Sequence, residues 1–317
     1  MANKKNECCN EKFKTTIGGQ ALIEGILMQG PDKRAIVIRK PDKTLEIKEE
    51  EGGTKKSSRL LELPIIRGPV RYWDAITKGV SALTYSAEFF DDGGEDKKSK
   101  FDLWLEKKIG VKKLEKLMMG LAVVLGIAIP IGLFILLPTL IAGLFGDGLH
   151  YMVRNLIEGV IRILIFIGFV WLTSREKDVK RTYMYHGAEH KTISCYEQGM
   201  PLTVENCRGC SRFHPRCGTS FLFVVMIVSI LVFSVVQWSN PFVRMAFRLL
   251  LLPVVAGISY EINRYAGRYD NKLTYALRAP GMWMQRLTTL EPDDSMIEVA
   301  IEALSRVIPE EENKDRW

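Results

Sequence analysis

The stretch LMMGLAVVLGIAIPIGLFILLPTLIAGLF, residues 117–145, decides the fold of this chain, because it contains no charged side chain. A helix of about 20 residues crosses the roughly 30 Å hydrocarbon core of a bilayer, so this stretch is long enough to span a membrane. The stretch TSFLFVVMIVSILVFSVVQW, residues 219–238, is uncharged as well. We predict one transmembrane helix for each stretch.

Two further apolar segments, 156–174 and 241–263, bring the prediction to four spans. They are less uniform, since they carry Glu158, Arg162, Arg244 and Arg248. Glu158 and Arg162 stand four residues apart and could neutralise one another or line a polar cavity. Both lie near a predicted span end, so we favour a long arginine side chain that reaches the headgroup region.

Two prolines, Pro130 and Pro138, interrupt the first predicted span. One hypothesis is a single kinked and tilted helix, and the other is a re-entrant pair of helices that does not cross. A re-entrant pair would move the N-terminal region to the other side of the membrane. We favour the kinked helix.

The distribution of Lys and Arg predicts the orientation of the spans. Basic residues are dense before the first span, within 175–218 and after the last span, whereas the other two connections are nearly uncharged. Basic loops stay in the cytoplasm, so we predict a multipass cell-membrane protein with both termini cytoplasmic. Residues 1–13 lack a signal-peptide pattern. The net charge of +7 is then explained by topology and by contact with the lipid bilayer, and no nucleic-acid partner is expected.

The segments outside the spans divide by composition. We predict a disordered N-terminus over 1–17 and a small β-containing domain over 18–63, in which 35–39 and 45–48 form two strands and the glycine run at 18–25 forms a turn. An amphipathic helix follows over 64–90, and a charged linker with a basic helix over 91–116.

The C-terminal segment, 264–317, is predicted to contain one helix. Ser295 and Glu298 have the spacing of a capping box, and apolar residues at helical spacing follow until Pro309. The charged end, 310–317, is predicted to fray.

The candidate chemistry lies in 175–218, which we predict to be a cytoplasmic loop. His186 and His190 stand four residues apart with Glu189 directly before the second, the H-x-x-E-H order of inverted zinc proteases. On a helix both imidazoles share a face and can reach one divalent cation. The predicted site holds Zn²⁺ on His186, His190 and either His214 or Cys217, with Glu189 as the catalytic base acting on a water.

Two other hypotheses fit the same segment, which holds three of the four histidines and four of the six cysteines. Cys207, Cys210, His214 and Cys217 have the spacing of a compact zinc knuckle that needs neither His186 nor His190. Alternatively no metal binds, the histidines are ordinary hydrogen-bonding side chains at the membrane surface, and the thiols stay reduced. A disulfide framework is not expected in the cytoplasm.

Four separated motifs in one order, the last in two parts, resemble the YqhQ-like family, bacterial multipass membrane proteins of unknown function that are provisionally called metal-dependent enzymes. They are GGQALIEG (18–25), HGAEHK (186–191), HPRCGTSF (214–221), QRLTT (285–289) and EPDD (291–294). The resemblance covers roughly residues 18–307. It implies functional roles for His186, Glu189, His190, His214 and Cys217. Cys207 and Cys210 match no family motif, which counts against the knuckle.

The sequence therefore predicts a mostly α-helical protein with four membrane spans, a small N-terminal α+β cytoplasmic domain and a cytoplasmic metal site. The function expected is a metal-dependent hydrolase at the membrane surface, with an unknown substrate. The alternative is a non-catalytic multipass protein, such as an assembly factor, insertase partner or transporter, with a structural metal or none. A membrane-protein partner or a homo-oligomer is compatible with either.

Overall fold

The chain is mostly helical and has one small N-terminal sheet, as the sequence predicted. The computed structural model describes residues 13–52, 59–90, 108, 110–145, 150–234, 241–311 and 313–317. The helices are α1 (Arg67–Ala87), α2 (Val111–Ile131), α3 (Leu137–Gly143), α4 (Tyr151–Thr173), α5 (Lys177–Glu197), α6 (Val204–Gly209), α7 (Gly218–Ser234), α8 (Pro241–Arg268), α9 (Lys272–Thr288) and α10 (Asp294–Ser305).

The chain divides into two compact units. One comprises residues 1–90, 170–229 and 251–317, and the other comprises residues 91–169 and 230–250. The predicted charged linker, 91–100, lies outside the described residues, as does most of the basic helix that was predicted to follow it.

The first unit is built around a four-stranded antiparallel meander, with strands β1 (Gly18–Leu22), β2 (Gly25–Gln29), β3 (Lys33–Arg39) and β4 (Leu45–Glu51). The hairpin β3–β4 contains the two predicted strands. Its turn is fixed by Asp42, whose side chain accepts hydrogen bonds from the Thr44 amide and hydroxyl. The predicted turn over 18–25 is wrong, because these residues form β1 and the start of β2. The chain reverses only at Ile23–Glu24, where Glu24 takes a φ of 48°.

Both faces of the sheet are covered, so β2 and β3 are buried along most of their length. One face packs on α5 and α10, with Ile26 and Val37 among the side chains of that core. The other face packs on α1 through Leu27, Ile36 and Ala82. The helix α1 lies within the range 64–90 that was predicted to be amphipathic.

The two chain ends pack against each other, which contradicts the predicted disorder of 1–17 at residues 13–17 and the predicted fraying of 310–317. Thr15 forms a β-bridge with Arg316, and its hydroxyl donates to the Asp315 carboxylate at 2.5 Å. The Trp317 indole donates to the Thr15 carbonyl at 2.9 Å. Short polar segments lack the hydrophobic periodicity that would reveal such pairing. Residues 1–12 lie outside the described part of the chain.

The connection predicted over 175–218 is mostly helical, and its position relative to a membrane stays a prediction. Helix α5 runs through the histidine motif, and α6 follows it. The C-terminal segment holds two helices instead of the one predicted, since α9 precedes α10. The N-cap of α10 is Asp293, whose side chain accepts from the Met296 amide at 3.0 Å, and not Ser295. Aspartate is as good an N-cap as serine, and here the helix begins two positions earlier than predicted.

In the second unit the backbone stays helical through both prolines of the first predicted span. A short π-helix over Gly132–Leu136 joins α2 to α3. Pro138 has no N–H to donate to the carbonyl four residues earlier, so the Phe134 carbonyl is left without its helical partner. Arg162 Nε donates to this carbonyl at 2.8 Å. The backbone therefore continues as a helix from Val111 to Gly143, and whether it crosses a membrane once stays a prediction.

Three helices are long and apolar enough to cross a membrane, at Val124–Gly143, Tyr151–Thr173 and Met245–Arg268. Apolar helices of this length are typical of membrane proteins. The helix α7 is apolar but shorter, with 17 residues, and residues 235–240 of the third predicted span lie outside the described part. The four-span arrangement therefore stays a prediction.

Glu158 and Arg162 of α4 form a buried cluster with Arg248 of α8, so the predicted snorkelling of Arg162 is wrong. The Glu158 carboxylate accepts from Arg162 Nη2 and from Arg248 Nη2, each at 3.0 Å. All three side chains are at most 8% exposed. Arg248 comes from α8, some 90 residues away in sequence, so the four-residue spacing of Glu158 and Arg162 alone did not reveal it.

Candidate metal centre

Helix α5 places His186, Glu189 and His190 on one face, as the H-x-x-E-H spacing predicted. The two imidazole rings lie 4.4 Å apart between centroids. Gly187 lies on the opposite side of the motif, where a Cβ atom would collide with the Leu290 carbonyl. This glycine lets the segment after α9 pack directly on α5, which brings the end of α9 close to His186.

Each imidazole is oriented by a backbone carbonyl. His186 Nδ1 lies 2.8 Å from the Thr288 carbonyl oxygen, and His190 Nδ1 lies 2.7 Å from the Arg212 carbonyl oxygen. A carbonyl only accepts, so both Nδ1 atoms carry the proton and donate it. Nε2 is then the atom with which each ring would bind a metal, as in metal-binding histidines whose other nitrogen is held by a carbonyl.

Cys217 is the third member of this site. Its Sγ lies 3.1 Å from His186 Nε2, and one donor atom each of His186, His190 and Cys217 lie within 4.8 Å of one another. Cys217 directly precedes α7, and the amide of Thr219 lies 3.4 Å from Sγ. The positive end of a helix stabilises a thiolate at such a position.

The electrostatics of the three groups are mutually dependent. Burial raises the pKa of the Cys217 thiol, but the two imidazoles outweigh burial and hold this pKa well below its usual range. Burial lowers the pKa of His186, but the charge and hydrogen bond of Cys217 raise it to about 9. At neutral pH Cys217 is therefore a thiolate paired with a protonated His186. A divalent cation that binds here would displace the proton from His186 Nε2 and take its place beside the sulfur.

Glu189 is buried beside these groups, with 5% of its surface exposed. Its Oε1 accepts a hydrogen bond from the Gly19 amide at 3.1 Å, whereas its Oε2 has no hydrogen-bond partner among the described residues. Burial raises the pKa of the carboxyl, although the two imidazoles oppose this shift. Gly19 is needed for this contact, because a Cβ at that position would lie 2.9 Å from Glu189 Cδ.

His214, the other predicted third ligand, lies outside the triad. Its Nε2 lies 3.1 Å from a carboxylate oxygen of Glu197, which also pairs with Arg216. Gln285 fixes the His214 backbone, since its side-chain amide accepts from the His214 N–H and donates to the His214 carbonyl, both at 2.8 Å. His214 therefore holds the loop before Cys217 in place.

The knuckle that the cysteine spacing suggested does not form. Cys207 and Cys210 are buried and interact with the Cys195 thiol of α5, not with His214 or Cys217. The pKa of Cys195 is raised by hydrogen bonds to these two thiols. The four described cysteines form no disulfide.

Several residues that build the site were not assigned a role from the sequence. Gly19 positions Glu189, the Thr288 and Arg212 carbonyls orient the histidines, and Gln285 holds the backbone before Cys217. Gly19, Gln285 and Thr288 do lie in motifs that resembled the YqhQ-like family. Most of these contacts are made by backbone N–H and C=O groups, which every residue type offers. The amino-acid sequence therefore does not single them out.

The comparisons agree with that resemblance. A family described as "Protein of unknown function (DUF1385)" matches residues 63–310. The chain belongs to this family. It is 33% identical over 310 residues to the "Uncharacterized protein YqhQ" of Bacillus subtilis (strain 168), a match that covers 94% of this chain and 93% of that protein. No solved structure matches the chain. The matched range contains all three donor residues of the triad and Glu189.

A cavity of about 810 Å³ adjoins the site and gives it room for a substrate. His186, Glu189, His190 and Cys217 all line it. Its volume lies within the range of ordinary small-molecule sites, about 300–1,000 Å³.

Proposed function

We propose that the protein is a metal-dependent hydrolase in which His186, His190 and Cys217 hold a divalent metal and Glu189 is the general base. The observation that carries the proposal is the unpartnered Oε2 of Glu189, buried beside three converging donor atoms. A buried carboxylate oxygen without a partner costs about 1–3 kcal/mol. A group retained at such a cost is a candidate for catalysis.

The residues present fit Zn²⁺ better than a hard cation. Two imidazole nitrogens and one thiolate are the donors that zinc prefers, and three protein ligands are the usual number in a catalytic zinc site. When bound, such an ion lowers the pKa of a water and polarises the substrate.

The roles of the chain's own residues follow from their contacts. The Gly19 amide holds Oε1 of Glu189, so Oε2 is the oxygen that accepts a proton from a water in the cavity. The Thr288 and Arg212 carbonyls hold Nδ1 of the two imidazoles, so Nε2 is the atom that would bind the metal. Burial of Glu189 limits the access of bulk water to the carboxylate.

For the membrane arrangement we propose four spans, with both termini and α5 on the cytoplasmic side of the cell membrane. The support is the concentration of Lys and Arg before the first span, within 175–218 and after α8. The span at α7 would be completed by residues 235–238, which continue its apolar sequence.

One observation favours a different role. The three donor residues join α5 to the start of α7, and the His186 hydrogen bond joins α5 to the end of α9. A metal at this point could hold the helices together without taking part in catalysis. That alternative makes the protein a non-catalytic membrane protein with a structural metal.

The Glu189→Gln variant separates the two functions. Glutamine keeps the size and can still accept from Gly19, but it is no base, so a hydrolase keeps its metal and loses turnover. The assay is complementation of a deletion strain, with protein level and metal content measured in the same cells. Glu205→Gln, at an exposed position on α6, is the matched control. Full complementation by Glu189→Gln, together with failure of His186→Ala, would establish the structural role instead.

A further inference from the structure

A second cavity shares a wall with the one at the metal centre. The metal-site cavity, about 810 Å³, and the second cavity, about 850 Å³, have eight lining residues in common, among them Gly19, Arg71 and Tyr260. We call the second one the basic cavity. Together the two could hold a molecule that extends well beyond the metal centre.

The basic cavity has a strong excess of positive charge. Six cationic side chains line it, and Glu62 is its single acidic lining residue among those described: the cations are Arg67, Arg71, Lys78, Arg264, Arg268 and Arg316. Arg67 is neutralised by Glu261 and Lys78 by Asp74. The Glu62 carboxylate lies 3.7 Å from Arg71, and both side chains are exposed, so this pair is weak.

Three of the arginines form no ion pair with a described residue. Within the described part of the chain, no carboxylate lies within 4 Å of Arg264, Arg268 or Arg316. Arg264 and Arg268 are one helical turn apart at the end of α8, so they share a face. One guanidinium group can donate two parallel hydrogen bonds to a phosphate, and it is weakly hydrated. Both properties suit arginine to phosphate recognition.

The metal-site cavity also has an apolar part of its lining. Side chains of α1 and of the first turns of α7 contribute it: Tyr72, Ile76, Val80, Phe221 and Leu222. The Tyr72 and Phe221 rings lie 5.5 Å apart. Val80 is 59% exposed and Leu222 is 38% exposed, so apolar area is available for an apolar ligand.

We infer that the joined cavities bind a phosphate-bearing amphiphile, with its phosphate on Arg71 and Arg264 and its apolar chain between α1 and α7. The metal centre lies along the same cavity wall, so such a molecule would also be the substrate class of the proposed hydrolase. The claim that this molecule is the substrate rests on the proposed function. The claim that the cavities bind it does not depend on the proposed function.

Binding is tested with purified full-length protein in amphipol by isothermal titration calorimetry. The probes are octyl phosphate, 1-octanol and inorganic phosphate. Octyl phosphate should bind at least about tenfold more tightly than either of the others, because only it can contact both the arginines and the apolar lining of the cavities. Equal affinity for inorganic phosphate would leave a simple anion site, and equal affinity for octanol a simple apolar cavity. Either result overturns the inference.

Variants locate the site. Arg264→Gln and Arg71→Gln should each weaken octyl phosphate binding about tenfold, the loss expected for one charge-assisted hydrogen bond. Arg264→Lys keeps the charge and should recover part of the affinity. Arg208→Gln removes an exposed arginine that lines neither cavity, and it should bind as the wild type does. If both glutamine variants bind like Arg208→Gln, the phosphate does not lie where we place it.

The Glu189→Gln variant keeps this inference distinct from the proposed function. It should bind octyl phosphate as tightly as the wild type. If it both binds the probe and complements fully, the hydrolase proposal falls and the binding site stands. If it fails to complement, and wild-type protein shows no octyl phosphate binding, the inference falls and the hydrolase proposal stands.

Discussion

Gly19→Ala should damage the candidate site although it replaces neither a metal ligand nor the proposed base. Gly19 lies in β1, opposite Met28 of β2, and its amide holds the Glu189 carboxylate. A Cβ at this position would lie 2.8 Å from the Leu27 carbonyl oxygen, 2.9 Å from Glu189 Cδ and 2.9 Å from Met28 Sδ. Real Cβ atoms do not approach other atoms so closely, so at least one of these groups must move.

The size of the effect follows from these distances. Overpacking of this kind costs about 1–3 kcal/mol. Each kcal/mol lowers Tm by roughly 2–4 °C in a domain of 150–250 residues, so we expect a decrease of roughly 2–12 °C. An ordinary contact of 3.4 Å would need the Glu189 carboxylate to shift by about 0.5 Å. A misplacement of about 1 Å costs about 100-fold in rate, so a shift of half that size predicts roughly a tenfold loss.

Gly18→Ala is the matched control, because it is the neighbouring residue of the same strand and an added Cβ would meet nothing within 4 Å. Both variants are compared with the wild type by thermal unfolding in detergent, by metal content per chain and by complementation of a deletion strain. Gly19→Ala should lose stability and complementation and keep its metal, since the three donor residues are unchanged. If the two alanine variants behave alike, the Gly19–Glu189 contact does not position the carboxylate.

Three other predictions concern the metal, the buried ion cluster and the topology. His186→Ala should reduce the metal content from about one per chain to a small fraction, whereas Cys207→Ser should leave it unchanged. Elemental analysis that shows the reverse would place the metal on Cys195, Cys207 and Cys210 instead. Arg248→Met should cost about 3–5 kcal/mol in thermal unfolding because it removes the main partner of a buried carboxylate, and an unchanged Tm would show that the cluster is hydrated. Reporter fusions after Ser174 and after Arg268 should both report cytoplasm, and an external signal from either would invalidate the proposed orientation.

The elements that the sequence predicted well are those whose signal is local. The H-x-x-E-H spacing placed His186, Glu189 and His190 on one face of a helix because the helical period alone decides that arrangement. The β3–β4 hairpin followed from its turn residues and flanking strands for the same reason. The apolar composition of 117–145, 156–174 and 241–263 identified all three described helices that are long enough to span a membrane.

The choice between His214 and Cys217 could not be made from spacing. Both residues precede α7 and lie three positions apart, so either could have faced α5. Two contacts hold His214 away from the metal ligands. Gln285 of α9 binds the His214 backbone, and Glu197 at the end of α5 binds its imidazole. Contacts between residues 71 positions apart in the sequence leave no local pattern to read.

The full length of helix α5, Lys177–Glu197, could not be predicted from hydrophobic periodicity. Ten of its residues are buried, and several of them are polar or charged, including Glu189, His190, Lys191 and Glu197. Sequence reasoning identifies buried helices by apolar residues at helical spacing, and α5 lacks that pattern. Each of these polar groups is instead held by a group from elsewhere in the fold, such as the Gly19 amide, the Arg212 carbonyl or Arg216. Local rules fail where a fold retains polar groups in its interior, and such places are concentrated at functional sites. The failure of the pattern in α5 is therefore a further argument, independent of the H-x-x-E-H spacing, that this helix carries the function.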